Sequence, residues 1–293
     1  MRSVGVVSDI HANALALDAA LARLDEERVA HIVVLGDLLS YGVHVAETLA
    51  RLVRLTRECA TTFLVGNHDQ LYFEMQRGAR DYYDKVPAWI QESARETLAR
   101  LDSAPARAAL AGKQLADAFC WHDEHVDGGV LFSHANPFAP RDWTYLSSVE
   151  SRGRAARVLQ DRGFAAGVFG HTHRADAHDR VWNPGSVGQP RDEAKVSTAG
   201  IVGIVGAVDG DEGDEGATTT ATRATRATSA MPATSAMPAT SMTLATSAMS
   251  ATFATFVIDY DERTHCDAVR SAALSPTTKR EILKFHRASP SDA

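Results

Sequence analysis

The sequence predicts an α+β fold whose first half alternates strands and helices in the manner of an α/β protein. Three apolar runs, at 4–9 (VGVVSD), 31–37 (HIVVLGD) and 61–69 (TTFLVGNHD), each precede a stretch with helical spacing. Because these runs are continuously apolar, we expect a sheet that is buried on both faces. Beyond residue 128, strand-like runs follow one another more closely, and this half could supply a second sheet.

The first predicted helix covers 13–27, where Leu17, Leu21 and Leu24 recur at spacings of three and four and form one apolar face. A second helical pattern covers 45–58. A longer helical region is predicted to follow 61–69 and to reach about Leu110.

The second half contains fewer helical patterns. Helices are predicted near 149–162 and at 263–274, and strand-like runs occupy 128–135, 165–173, 180–188 and 255–261.

The stretch CWHDEHVDGG at 120–129 has two readings. Cys120, His122 and His125 could chelate a metal, but the Asp-Gly-Gly ending is typical of a hairpin turn, which is the interpretation we adopt. Five further histidines belong to no pattern of this kind: His31, His44, His178, His265 and His286.

Residues 209–252 differ in composition from the rest of the chain. They begin with an acidic run and continue with approximate six-residue repeats such as SAMPAT. Ala, Thr, Ser and Pro at this density bury too little apolar surface to offset the entropy of ordering, so we predict a flexible, low-complexity insert, with an interaction segment as the alternative. Residues 1–208 and 253–285 are then expected to form one domain, and 286–293 a disordered tail.

The bulk properties exclude several classes of function. The 293 residues carry a net charge of −7 and no basic run, so we expect no nucleic-acid partner. No apolar run reaches the length of a membrane span, and no signal-peptide core is present, so we expect no membrane partner. The three cysteines form no CxxC pair, which is typical of a reducing compartment, and a cytoplasmic location is expected.

Ligand-type residues end five of the strand-like runs. Seven of them are candidate metal ligands: Asp9, His11, Asp37, Asn67, His134, His171 and His173. Strands of an α/β sheet present such residues at their common carboxyl edge, so we expect a metal site there, with more than one ion. Imidazole and carboxylate ligands without thiolate favour Mn²⁺, Fe, Zn²⁺, Co²⁺ or Ni²⁺ over Ca²⁺. The ligand types do not choose among these five ions; Mn²⁺ is the one we expect first.

Five motifs in order carry a resemblance to a known family. They are SDIHAN at 8–13, GDLLSYG at 36–42, GNHD at 66–69, SHA at 133–135 and GHTH at 170–173. Over about residues 3–208 and again at 253–275, the chain resembles the calcineurin-like metallophosphoesterases. The run NPGSVGQPRD at 183–192 is similar to the small prokaryotic branch that includes predicted phosphodiesterases and relatives of diadenosine tetraphosphatases.

The resemblance implies a four-layer sandwich of two mixed sheets flanked by helices, with two divalent ions at its centre. It implies that Asp9, His11 and His173 hold the first ion. Asn67, His134 and His171 would hold the second, and Asp37 would bridge the two. Hydrolysis of a phosphomonoester, phosphodiester or dinucleotide polyphosphate would proceed by in-line attack of a hydroxide shared by the ions.

His68 stands beside a ligand but is not itself one, so we expect it to protonate the leaving oxygen. Asp69 would hydrogen-bond its other ring nitrogen, with a turn-stabilising role as the alternative. Three residues are candidates for contact with a small phosphorylated substrate, with a simple solvated role as the alternative for the arginines: Tyr41, Arg174 and Arg191. The rival interpretation of the whole chain is a scaffold that keeps the fold without turnover. The sequence selects neither the physiological substrate nor an oligomeric state.

Overall fold

The computed structural model describes residues 2–205, 241–246 and 249–287, and within them two mixed β-sheets are flanked by helices. The strands are β1 (Arg2–Val7), β2 (His31–Val34), β3 (Ala60–Leu64), β4 (Trp121–His122), β5 (Glu124–Asp127), β6 (Val130–Ser133), β7 (Ala166–Phe169), β8 (Ala175–His178), β9 (Val181–Pro184), β10 (Thr198–Val205), β11 (Ser241–Thr246) and β12 (Met249–Val257). The α-helices are α1 (Ala14–Glu26), α2 (Val45–Glu58), α3 (Asn67–Gln76), α4 (Ala88–Leu101), α5 (Ala104–Ala109), α6 (Leu115–Ala118), α7 (Val149–Asp161), α8 (Glu262–Ser271) and α9 (Pro276–Leu283).

The first sheet has the strand order β11-β12-β10-β1-β2-β3-β4. Strands β1 to β4 are parallel, whereas β10, β12 and β11 are added antiparallel beyond β1. The parallel strands follow from the predicted alternation, because a helix must carry the chain back between successive parallel strands.

The second sheet has the order β5-β6-β7-β9-β8, with a parallel centre and antiparallel edges. Its first two strands form a hairpin through Gly128 and Gly129, whose φ angles of +51° and +71° suit a tight turn. The hairpin predicted from CWHDEHVDGG is therefore confirmed.

The core is divided into layers by the two sheets. A cluster that includes Val33, Leu35 and Phe132 lies between the sheets. On the outer face of the first sheet, Ile32 and Val34 pack with residues of α1 to α5, while α7 covers the second sheet. Alternate residues of β2 thus enter different layers, which explains why that strand is apolar throughout. The predicted fold class is confirmed.

Part of the predicted flexible insert is in fact strand. Residues 241–246 form β11, and β12 begins at Met249 instead of residue 255, so the prediction was wrong for these residues. Ala251, Phe253 and Thr255 are buried on one face of β12 and alternate with less buried neighbours. The prediction used the composition of 209–252 as a whole, and this average obscured the alternation of buried and less buried residues in β12. The β-branched Thr residues there favour a strand. The rest of the predicted insert, residues 209–240 and 247–248, lies outside the described residues.

The helical predictions need two further corrections. The long helical region after 61–69 is divided, because Gly78 adopts a φ of +79° after α3 and Pro87 precedes α4. The helix α9 was missed, although Ser275 caps it and Pro276 occupies its first turn. The predicted tail is wrong at its first residue, since His286 is buried; residues 288–293 lie outside the described part of the chain.

Among the helices of the described ranges, none combines the length and apolar character that a bilayer span needs.

We predict that Phe253→Ala destabilises the fold by about 3–5 kcal/mol, because it leaves a cavity between the sheets. The Phe253 ring is buried and stacks on Trp182 with the ring centroids 5.4 Å apart. Urea unfolding of the chelator-treated protein measures the change. Val257→Ala, at an exposed position of the same strand, is the control and should change the free energy of unfolding by less than about 0.5 kcal/mol. If Phe253→Ala changed the free energy of unfolding as little as Val257→Ala does, Phe253 of β12 would not belong to the core.

Candidate metal centre

Polar residues follow the carboxyl ends of five strands. Asp9 and His11 follow β1, Asp37 follows β2, Asn67 begins α3 directly after β3, His134 follows β6, and His171 and His173 follow β7. All seven side chains are buried. Four of them each place one ligand atom within 4.8 Å of the others: Asp9, His11, Asp37 and His173. The structure thus brings the loops of both sheets to one place.

The backbone is strained at this edge. Five of the seven residues have φ angles between 48° and 65°: Asp9, His11, Asp37, His171 and His173. Residues other than glycine rarely adopt these angles, and such strain persists only where the surrounding structure enforces it. These loop conformations therefore cost stability, and they direct the side chains toward one place.

Gly66 permits a close approach between two of these loops. A Cβ at Gly66 would lie 2.2 Å from the carboxylate oxygen Oδ1 of Asp37 and 2.5 Å from that residue's backbone nitrogen. Any larger residue would displace the carboxylate, which explains the glycine before Asn67 in GNHD.

Backbone carbonyls orient three of the imidazoles. In each, Nδ1 donates to a carbonyl oxygen: His11 to Leu39 at 3.0 Å, His134 to Leu35 at 2.8 Å, and His173 to Gln189 at 2.7 Å. A carbonyl can only accept, so this bond fixes the neutral tautomer with its proton on Nδ1 and leaves a lone pair on Nε2. Metal-binding histidines are held in the same way.

The Nε2 lone pairs of His11 and His173 face each other and a carboxylate. The two Nε2 atoms are 3.2 Å apart, and Nε2 of His173 is 3.2 Å from Oδ1 of Asp9. None of these three atoms carries a proton to share in this tautomer, and Oδ1 of Asp9 is buried without a hydrogen-bond partner. Hydrogen-bond acceptors in contact repel one another through their lone pairs. A cation placed among these three atoms would bind those lone pairs, so the arrangement fits a metal ion.

A second group of acceptors lies beside the first. Nε2 of His134 is 3.1 Å from Oδ1 of Asn67, whose amide nitrogen donates to Tyr82. Oδ2 of Asp37 stands 3.6 Å from Nε2 of His134 and 3.8 Å from Nε2 of His11. Asp37 therefore lies between the two groups.

His171 is placed differently from the other histidines. Its ring centroid is 5.1 Å from that of His134, but its Nε2 donates to the carbonyl of Trp143 at 3.0 Å. The ligand atom of His171 would therefore be Nδ1. Tyr145 stacks on the same ring with a centroid distance of 4.0 Å.

Three buried carboxyl groups meet at this centre. Burial, with the neighbouring carboxylates of Asp69 and Asp9, raises the pKa of Asp37 well above its usual value. Burial opposes the ionisation of Asp9 as well. Concentrated negative charge away from water is costly unless a cation compensates it.

Comparison with known sequences identifies the family. The model of the calcineurin-like phosphoesterase superfamily domain matches residues 1–206. The chain belongs to this superfamily. The resemblance expected over about residues 3–208 is thereby confirmed, and the buried Asp and His cluster lies within the matched residues.

Similar proteins support the fold. The chain is 31% identical over 208 residues to the uncharacterized protein MJ0912 of Methanocaldococcus jannaschii, which covers 64% of this chain and 77% of that protein. A metallophosphoesterase from Sphaerobacter thermophilus superposes with a TM-score of 0.59 at 20% identity, over 97% of this chain and 99% of that chain. The hypothetical protein PH1004 from Pyrococcus horikoshii OT3 gives 0.56 at 20% identity, over 69% of this chain and 84% of that chain.

In this phosphoesterase fold, hydroxyl groups hold the imidazole of His68. Nδ1 is 2.8 Å from the hydroxyl of Ser40, which contacts Tyr72, and Nε2 is 2.9 Å from the hydroxyl of Tyr41. Burial lowers the pKa of His68 to about 3, and the positive charge of Arg191 acts in the same direction. The imidazole is therefore neutral near pH 7.

The predicted contact between Asp69 and His68 is wrong. The Asp69 carboxylate instead accepts hydrogen bonds from three backbone amides, those of Asp37 at 2.7 Å, Leu38 at 3.1 Å and Gly66 at 2.9 Å. Asp69 occupies the first turn of α3, so its side chain turns back toward the loop before the helix. It ties the Asp37 loop to the Gly66 loop, which agrees with the turn-stabilising alternative.

The two candidate substrate arginines line one cavity together, but only Arg191 also lines the cavity beside His68. Arg191 lines a cavity of about 340 Å³ together with Tyr41, Asn67 and His68. Arg174 is exposed, and its Nε donates to the carbonyl of Arg191. It does not line that cavity. In the sequence, Arg174 follows the GHTH motif and Arg191 lies in NPGSVGQPRD, and neither motif shows this difference.

Several residues around the centre were missed from the sequence. Ser40 lies in the quoted motif GDLLSYG, whereas Tyr82, Trp143 and Tyr145 come from segments with no motif. The carbonyls that orient the histidines carry no sequence signal either, since every residue has one.

We predict that Asp69→Ala lowers the free energy of unfolding by at least ~2 kcal/mol, because it leaves three buried backbone amides without an acceptor. Denaturant unfolding in the presence of chelator measures this without a contribution from bound ions. Asp84→Ala is the control, because that carboxylate is exposed and pairs with Arg80, and it should cost less than about 1 kcal/mol. An unchanged stability of Asp69→Ala would contradict the bracing role.

Proposed function

We propose that this protein is a dinuclear metal-dependent phosphoesterase that hydrolyses a small phosphorylated substrate. The observation that carries the proposal is the contact between acceptors that have no proton to share, at His11, His173 and Asp9 and again at His134 and Asn67. Superfamily membership agrees with it.

The residues divide between two ion positions. Asp9, His11 and His173 would hold one ion, and Asn67, His134 and His171 the other. Asp37 would contribute to both, since its Oδ2 faces a histidine of each group. We expect Mn²⁺, and Fe, Zn²⁺, Co²⁺ or Ni²⁺ would suit the same ligands.

When bound, two such ions would polarise the phosphate and activate water for in-line attack. Asn67 suits this chemistry because its neutral oxygen completes a ligand set without adding negative charge beside a phosphate. The buried carboxylates Asp9 and Asp37 would be compensated by the ions, which removes the repulsion described above.

His68 would supply the proton that the leaving oxygen needs. It lines the cavity beside Asn67 and is held by hydroxyl groups at both ring nitrogens. Burial keeps the imidazole neutral without substrate, and the negative charge of an entering phosphate would raise its pKa toward the working pH. Ser40 and Tyr41 therefore take the orienting role that the sequence had assigned to Asp69.

Arg191 is the residue best placed to contact the phosphate. Its guanidinium is close enough to Tyr145 for a hydrogen bond, and it lies over the ring of Phe285 with 5.2 Å between Cζ and the ring centroid. These contacts fix a positive charge at the wall of the cavity. The catalytic unit would then include α9 and the residues after it, because Phe285 also lines this cavity.

We predict metal-dependent hydrolysis that needs His68. With Mn²⁺, the wild type should hydrolyse a chromogenic phosphomonoester or phosphodiester, and excess chelator should abolish the reaction. His68→Ala should lower kcat by about 10²–10⁴-fold, the range typical of a lost general acid, with bound Mn²⁺ unchanged. His178→Ala is the control, since His178 is exposed on β8.

Two outcomes would contradict this prediction. Undiminished kcat in His68→Ala would remove its role as proton donor. Absence of hydrolysis on every ester tested, with Mn²⁺ shown bound, would favour the scaffold over the enzyme.

We predict that Arg191→Ala raises KM for the phosphate ester by about 10–100-fold, the loss expected for a charge-assisted hydrogen bond. Arg174→Ala is the matched control and should change KM by less than about 2-fold, because Arg174 is exposed and does not line the cavity that contains His68. Steady-state kinetics of the two variants measure the difference. The assignment fails if both variants raise KM equally, or if neither does.

A further inference from the structure

A second group of metal-ligand side chains lies between the sheets. His31 is two residues before Val33 on β2, and Val33 belongs to the core between the sheets. On the facing sheet, His125 pairs with Phe132 of that same core, and Asp127 is two residues further along β5. Side chains two apart on a strand share a face, so all three polar residues point into the space between the sheets.

The three side chains converge. One ligand atom from each of His31, His125 and Asp127 lies within 4.8 Å of the others. Nδ1 of His31 is 3.6 Å from Oδ2 of Asp127, which is too long for a hydrogen bond. Two ligands at the usual distances from a tetrahedral Zn²⁺ are roughly 3.3–3.6 Å apart, so this separation fits a shared ion.

Neighbouring groups orient two of the ligands. Nε2 of His31 is 2.9 Å from the hydroxyl oxygen of Thr62. If Nε2 donates its proton there, Nδ1 keeps a lone pair directed at Asp127. Arg2 pairs with Oδ1 of Asp127 and leaves Oδ2 facing the imidazole. Outer partners of this kind hold the ligands of protein metal sites in place.

The third ligand has an unused acceptor. Nε2 of His125 is buried and has no hydrogen-bond partner, and its ring stands edge-on to that of His31 with a centroid distance of 5.4 Å. Burial lowers the pKa of both histidines, so both are neutral and able to bind a metal at pH 7.

We propose that His31, His125 and Asp127 bind one divalent transition-metal ion, with Zn²⁺ as the best fit to two imidazoles and one carboxylate. The site is separate from the phosphoesterase centre, because His31 begins β2 whereas Asp37 follows its other end, roughly 20 Å away along an extended chain. The ion would join the two sheets, since its ligands come from both. His125 would thus bind the ion with His31 and Asp127, and not with Cys120 and His122, the partners that the sequence suggests.

The test compares bound Zn²⁺ per chain. Chelator-stripped wild type, His125→Ala and Asp127→Asn are dialysed against buffered Zn²⁺, and metal content is measured by mass spectrometry. We expect both variants to hold one equivalent fewer than the wild type, and Zn²⁺ to raise their Tm less. His178→Ala, a histidine outside the cluster, is the control and should match the wild type.

Equal metal content in all four proteins would overturn the proposal and leave an ion pair of Arg2 and Asp127 as the whole role of the cluster. Mn²⁺-dependent hydrolysis by His125→Ala should stay within about 2-fold of the wild type, since the catalytic ions are bound elsewhere. If His125→Ala instead lost hydrolysis and bound more than one equivalent of Zn²⁺ less than the wild type, the cluster would not be separate from the catalytic centre. That result would also overturn the proposal. If His125→Ala does not fold, Asp127→Asn and His125→Gln provide the same comparison.

Discussion

The structure depends on a buried group of acceptors whose mutual repulsion a bound cation would relieve. Asp9, Asp37 and three imidazoles meet at the carboxyl edges of the two sheets, and every imidazole proton in that set is already donated to a backbone carbonyl. Charge and lone pairs are thereby concentrated away from water, at a cost that the rest of the fold must offset. The loops of the two sheets converge at one place and bring these groups together.

Several local features serve that concentration. The left-handed backbone of five candidate ligand residues aims their side chains, and Gly66 lets the Asp37 carboxylate approach the neighbouring loop. Asp69 then ties both loops together through backbone amides. None of these features touches a substrate. They set the positions of the residues that would.

The cavity beside the centre is built from distant parts of the chain. Tyr41 comes from the loop after β2, Arg191 from the loop after β9, and Phe285 from the end of α9. The last of these follows residues 209–252, so the chain returns to the site after its low-complexity stretch. The strand β12 makes this return possible, because it adds to the first sheet beside β10.

The sequence by itself determined the class of fold, the family and the seven candidate ligands, because apolar periodicity and short motifs are local properties of the chain. It also showed which strands end in ligand-type residues. Only the tertiary structure decided which atoms meet. Asp69 faces amides instead of His68, Arg191 but not Arg174 lines the cavity beside His68, and His31 joins His125 across the two sheets. These relations depend on packing between segments far apart in sequence, and no local pattern records them. The same reason explains β12, whose alternate burial follows from the sheet it joins and was obscured by composition averaged over 209–252.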